Sequence, residues 1–371
     1  MAATIDEVHT LATVETPTVS LYLDTDPRDP ANTAATPAWL VDARNGLRAV
    51  TDVLEAGDDR DARLQWRELR EQVDAELTAL PAADRGRGLV RLYALDGSLA
   101  ERRTLQVRLR GTSVTVADRP VIAPLVEALD HSRPIGVVLI SGERARLVHW
   151  AHGEVDAAGE EAFDLDDEHW RAYRGPASGT RGGATGATHA EHLEARVEEH
   201  RDRFLRAAAR ATGERLEEHG WERVVVAGEG PIVARFRHLL PEPVAARVVA
   251  ELPINAVDAP DREIADRLEP AVEELHQRDA IAAADALHGA ERAAVGPAAV
   301  LTALAQRQVA HLVIDPYRPP FDGPLPEVAR PLVEGATVPL PERAIEAAVA
   351  SDARVTTLDA SASAALEAAD G

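Results

Sequence analysis

From Pro134 the chain reads PIGVVLISGERARLVHWAHGEV, and no other stretch restricts its fold so strongly. An apolar run, a turn around Gly142 and Glu143, and a second run ending in His149 and Trp150 predict a β-hairpin. A charged segment from about 188 to 219 follows. Its Leu193, Val197, Phe204, Ala208, Thr212 and Leu216 fall three, four or seven apart, the spacing of one helical stripe that packs on a sheet. Glu and Arg at i,i+4 spacing support its other faces. WERVVVAGEG then reads as a strand, PIVARFRHLL as a short helix and VAARVVAEL as another strand. Strand and helix alternating in this way describe an α/β layer.

On either side the pattern is also mixed. TVSLYLDTDP alternates apolar and polar residues and stops at Asp-Pro, so it reads as a half-buried strand. Helices are expected near 38–56 and 60–80, then strands in RGLVRLYAL, RRTLQVRLR and SVTVADR, the second carrying Arg103, Arg108 and Arg110 on one face. Beyond residue 258, helical sequence over 261–288, GPAAVLTALAQRQ, HLVID, PERAIEAAVAS and ARVTTLD read as helix, helix, strand, helix, strand. At 371 residues the chain is long enough for more than one core. The expected organisation is α/β in three domains with mixed sheets flanked by helices: an α+β domain over 1–133, an α/β domain over 134–257 and an α/β sandwich over 258–371.

Composition removes several chemistries. Cysteine is absent, which excludes thiolate nucleophiles, disulfides and cysteine-zinc sites. Lysine is absent too, so all 40 Lys+Arg residues are arginine, and neither a Schiff base nor a Walker A loop is available. The start has no basic region followed by an apolar run, and nowhere do about 18 apolar residues follow one another. A cytoplasmic protein away from membranes is expected. The formal net charge of -23 opposes general nucleic-acid affinity, so any RNA contact must come from a local arginine patch.

Between the hairpin and the long helix lies RGPASGTRGGATGAT, a loop spanning 174–188. Gly175, Gly179, Gly182, Gly183 and Gly186 free its backbone, and the small residues between them offer nothing to bury. Arg171, Arg174 and Arg181 make it locally basic ahead of a helix N-terminus, where phosphate is favoured. A tether without chemistry explains the same composition. Elsewhere, Gly228 and Gly230 open a dinucleotide-type turn whose third glycine is replaced by Val233. His189, His192 and His200 share roughly one helix face, but no H-E-x-x-H occurs and solvated side chains account for them. No cofactor or metal is expected.

The order of these elements, with R-G-G in the loop and VGPAAVLTALAQRQVAHLVID near the end, resembles the archaeal and eukaryotic peptide-chain release factors, in their divergent bacterial and archaeal branch beside Pelota, Balon-type factors and peptidyl-tRNA hydrolase relatives. The resemblance covers about residues 134–371. It implies a factor that enters the ribosomal A site and brings a Gly-Gly-Gln loop to the peptidyl transferase centre. Gly182 and Gly183 match the two glycines, and Ala184 stands in place of the glutamine. The loop tip Gly182, Gly183 and Ala184 thus takes the catalytic position without the side-chain amide, while Arg171, Arg174 and Arg181 would contact RNA phosphate. Stop-codon readers of the family carry a lysine-containing motif in the first domain, which a lysine-free chain lacks. The resemblance therefore implies a ribosome-associated factor of hibernation or rescue, with rRNA, tRNA and a translational GTPase as partners and no enzymatic termination. The alternatives are a peptidyl-tRNA hydrolase of the same superfamily and a small-molecule α/β enzyme using the GEG turn or the helix histidines.

Overall fold

The structure is a computed structural model, describing residues 5–162, 185–287, 290–318, 323–335, 337–358 and 362–363. Two compact units make up the chain: residues 1–133 together with 272–371, and residues 134–271.

The first unit begins with α1 (Ile5–Ala12) and β1 (Thr18–Asp24), followed by α2 (Ala38–Ala56) and α3 (Arg60–Ala79). Asp59 caps α3 by accepting the N–H groups of Asp61 and Ala62, satisfying donors that have no partner inside the helix. Strands β2 (Gly88–Ala94), β3 (Ala100–Leu105) and β4 (Ser113–Ala117) join β1 in an antiparallel sheet of order β3-β2-β1-β4, and α4 (Ala123–His131) follows. One face of the sheet buries Val19, Leu21 and Leu23 against Trp39, Leu47, Trp66 and Val73 of α2 and α3. Each large side chain so removed from water contributes about 1.5–3 kcal/mol.

The second unit starts with β5 (Ile135–Ile140), β6 (Arg144–Ala151) and β7 (Glu154–Ala162). After it come α5 (Thr185–Glu218), β8 (Val224–Gly228), α6 (Gly230–Leu239), α7 (Glu242–Ala245) and β9 (Val248–Leu252). The sheet order is β7-β6-β5-β8-β9, antiparallel from β7 to β5 and parallel from β5 to β9. Phe204, Leu205, Ala208, Ala209 and Leu216 of α5 pack on Val138, Leu147, Val224 and Val226 of the sheet. The hairpin and the helical stripe therefore stand as expected. β7 was not expected, and the strand read as VAARVVAEL begins as the short helix α7.

Helix α8 (Asp261–Leu287) carries the chain past residue 271 with Pro270 inside it. The remainder of the first unit comprises α9 (Pro297–Ala305), β10 (His311–Ile314), α10 (Arg330–Val333), α11 (Leu340–Val349) and β11 (Arg354–Thr357), with β10 and β11 parallel. Leu304, Leu312, Ile345, Ala348 and Val355 share one hydrophobic core with Val8, Tyr22, Val90, Ile122 and Leu125. The first and last parts of the chain are thus packed together within this unit. The fold class is mixed α/β, as expected.

The arginine stripe reads differently in three dimensions. β3 ends at Leu105, so Arg108 and Arg110 lie beyond it. Arg103 pairs with Glu101, Arg108 with Asp24, and Arg110 with Glu127 while lying 4.5 Å from the centroid of the Tyr317 ring. Arg102 and Arg91 both donate to Glu76, which also accepts the Tyr93 hydroxyl. Burial opposes the Glu76 charge, but Arg102, Tyr93 and Arg91 outweigh it and lower its pKa. These arginines are paired with carboxylates of their own fold.

Candidate functional site

The candidate site belongs to the second unit, where the Gly-rich segment joins β7 to α5. Gly182, Gly183, Ala184, Arg171, Arg174 and Arg181 all lie outside the described residues, as do the side chains of His189 and His192. What the structure describes is the scaffold at both ends of the segment. β7 leaves at Ala162, and α5 begins at Thr185, directly after Ala184. The backbone of 185–188, counted with the loop in the sequence, is therefore helical.

Two features hold this scaffold. Gly159 of β7 lies within reach of α5 and β6: a Cβ there would make ordinary contact, at 3.4 Å, with both Arg215 and Leu147. Behind the sheet, Gly136 of β5 lies against the Trp221 indole so closely that a Cβ would fall 2.1 Å from the ring. Trp221 is fully buried and donates its Nε1–H to His149 Nδ1 at 2.8 Å. His149 and His219 stack at 5.2 Å between ring centroids, and His219 and Trp221 at 5.4 Å. Burial and then the neighbouring His219 push the His149 pKa down, with Asp156 acting in the opposite sense. With its Nδ1 accepting from the indole, His149 is in the neutral form that carries its proton on Nε2.

The arginines around this scaffold are committed to acids. Arg144 pairs with Glu160 and Asp258, and Arg146 pairs with Asp261 while donating to the Ala259 carbonyl. On α5 and α6, Arg201 and Arg235 share Glu198, and Arg235 also reaches Asp202 at 2.7 Å.

The other sequence candidates resolve structurally. Gly228 ends β8, where a Cβ would fall 2.2 Å from the Ile140 carbonyl oxygen, so its glycine serves the close approach of β5 and β8. Gly230 and Pro231 open α6 as an ordinary helix start. Among the described residues no group of three or more His, Cys, Asp or Glu side chains is placed to hold a metal ion, and no helix is long and apolar enough to cross a membrane. Sequence reasoning missed the His149–His219–Trp221 stack, because its members come from β6 and from the turn after α5. The signal available was a histidine and a tryptophan two residues apart at the end of the predicted helix.

Residues 120–273 match the model of bacterial archaeo-eukaryotic release factor family 10. That stretch, less than half of the chain, is similar to the family. That segment takes in the second unit, α4 and the whole Gly-rich loop with Gly182 and Gly183. No curated protein matches the sequence. Among solved structures, similarity extends to an archaeal translation termination factor, at 17% identity over 99% of this chain and 94% of the other, with a TM-score of 0.25. Archaeoglobus fulgidus Pelota is 16% identical over 73% of this chain and 72% of the other, with a TM-score of 0.31. An archaeal Pelota in a ribosome-bound assembly with ABCE1 is 14% identical over 100% and 93%, with a TM-score of 0.38.

Proposed function

We propose that this protein is a translation factor that occupies the ribosomal A site and presents its 174–188 loop to the peptidyl transferase centre. The observation that carries this reading is the family match over 120–273, whose bounds enclose Arg181, Gly182 and Gly183. Gly182 and Gly183 permit close backbone approach to RNA. Arg171, Arg174 and Arg181 contact phosphate, each worth one released counterion. Ala184 keeps a backbone N–H, able to donate to a developing oxyanion, but lacks the amide that organises the attacking water.

Without that amide, and without a lysine-containing codon reader, the protein holds or clears idle ribosomes in the manner of a hibernation or rescue factor. Its partners on this reading are rRNA, tRNA and a translational GTPase, which places it in the cytoplasm. The net charge of -23 bears on this reading, since it confines RNA affinity to a local arginine patch such as the loop's.

The test is cosedimentation with ribosomes from starved cells, across a salt series. The full chain pellets with ribosomes at low salt, and a variant lacking 175–187 pellets less. A protein that stays in the supernatant at every salt concentration contradicts the proposal.

A further inference from the structure

In the first unit an apolar cavity of about 150 Å³ opens at the end of β10. Leu287, Val295, Val300, Leu301, Leu312 and Ala344 form much of its wall. A pocket of roughly this volume accepts a group the size of benzene. The position has its own meaning, since β10 and β11 are parallel and ligands of parallel sheets bind outside the carboxyl ends of the strands.

Two charged residues, Asp315 and Arg318, are among its lining. The Asp315 carboxylate is fixed in orientation: Oδ1 accepts the Tyr317 N–H at 2.9 Å and Oδ2 accepts the Ser363 hydroxyl at 2.7 Å. Each oxygen keeps a further lone pair. Arg318 is exposed, and among the described residues its guanidinium makes no ion pair or hydrogen bond. Elsewhere in the same unit Arg110, Arg119, Arg133 and Arg343 are ion-paired. Asp315 and Arg318, the charged residues among the lining of this otherwise apolar pocket, present one receptor for a cation, one for an anion and, with the wall, one for a hydrocarbon group.

The geometry points to a binding site for a small zwitterion with an apolar side chain, that is, an apolar α-amino acid. Its side chain fills the cavity, its carboxylate meets the Arg318 guanidinium and its ammonium meets Asp315. A simple carboxylate would set a like charge against Asp315, and a hydrocarbon would use neither charge. The cavity size selects branched or aromatic side chains and excludes polar ones, whose hydrogen bonds to water would be lost without replacement.

Calorimetric titration of the full chain decides it, with leucine, phenylalanine, glycine and the deaminated acid of leucine as probes. Leucine or phenylalanine binds at least about tenfold more tightly than glycine and than the deaminated acid, and Arg318→Gln weakens binding by about tenfold, as loss of one charge-assisted contact requires. Arg318 is exposed, so that variant keeps its fold, which an unchanged melting temperature without ligand verifies. Absence of heat from both apolar amino acids at millimolar concentration overturns the assignment. So does equal binding by Arg318→Gln, or equal affinity for leucine and its deaminated acid.

Discussion

The carboxylate of Glu342 accepts the backbone N–H groups of Ile122 and Ala123, whose sequence separations from it are 220 and 219. One buried acid from α11 thus caps the start of α4 and ties the last part of the chain to the first. Tyr22 lies nearby and donates its hydroxyl to the Val121 carbonyl. Asp118 accepts from the N–H and hydroxyl of Thr337 and pairs with Arg343, which also pairs with Glu346. The polar clasp lies beside the hydrophobic core that the two parts share.

Glu342 makes that clasp pH-dependent. Burial, reinforced by Glu346 and opposed by the two N–H groups and Arg343, raises its pKa from 4.5 to about 8. The folded state therefore binds this proton more tightly than the unfolded chain does. Its contribution to stability is complete below pH 4.5 and is lost as pH rises toward 8. Urea denaturation of wild type and Glu342→Gln should diverge across that window: wild-type stability falls relative to the variant by a few kcal/mol, on the order expected for such a shift. A constant difference between the two proteins from about pH 5 to about pH 9 would remove this account.

Arg343 is 5% exposed at its side chain, and its removal leaves the buried Glu346 with Arg119, at 3.6 Å, in place of its closer partner. Arg343→Ala should cost about 3–5 kcal/mol, the range for breaking a buried pair. The loss should appear as one transition that exposes Trp39 and Trp66 together with the β10–β11 region, because β1 and β2 place Tyr22 and Val90 in the core shared with β10–β11 and Leu21 and Leu89 in the core of Trp39 and Trp66. Tryptophan fluorescence and hydrogen exchange measured along the same denaturation curve would check it. Residues 272–371 exchanging well before 5–133 would show two separate folding units.

His149 sets a pH response of the opposite sign in the second unit. Its folded-state pKa lies below 6.5, so its stabilising contribution is present above 6.5 and is lost as pH falls through the lowered value. Protonation of Nδ1 also removes the acceptor for the Trp221 indole. The Trp221 Nε1–H resonance should shift during acid titration, and His149→Phe should abolish that shift. A resonance unmoved down to about pH 5 would mean that the ring pair is not coupled.

Much of the second unit was legible because its signals are local. The apolar runs at 135–140 and 224–228 and the stripe through Phe204, Ala208, Thr212 and Leu216 each state their burial within one element. β7 escaped because EVDAAGEEA, an edge strand with Ala, Gly and Glu, carries little strand propensity. The clasp escaped for another reason. Asp118, Glu342 and Arg343 look like ordinary surface charges, and only packing over about two hundred positions makes them interior. The same blindness produced the arginine stripe, since no pattern in 102–110 announces Glu76, Asp24 or Glu127 as partners. For the loop, glycine content and the family match supply the reading, and its residues lie outside those the structure describes.

Replacing Ala184 tests the chemistry assigned to the loop tip. With peptidyl-tRNA in the ribosome, the wild-type chain should release little peptide, and Ala184→Gln should raise release by about a hundredfold, the scale of one preorganised catalytic group. Radiolabelled peptide release measures it. Strong release by the wild type would favour the hydrolase reading.

The central claim is that residues 174–188 reach the peptidyl transferase centre. Puromycin reactivity of ribosomes carrying peptidyl-tRNA measures access to that centre directly. At saturating protein the full chain should suppress formation of peptidyl-puromycin, and the variant lacking 175–187 should restore it. Unchanged puromycin reaction on ribosomes shown to carry the bound protein would contradict the account.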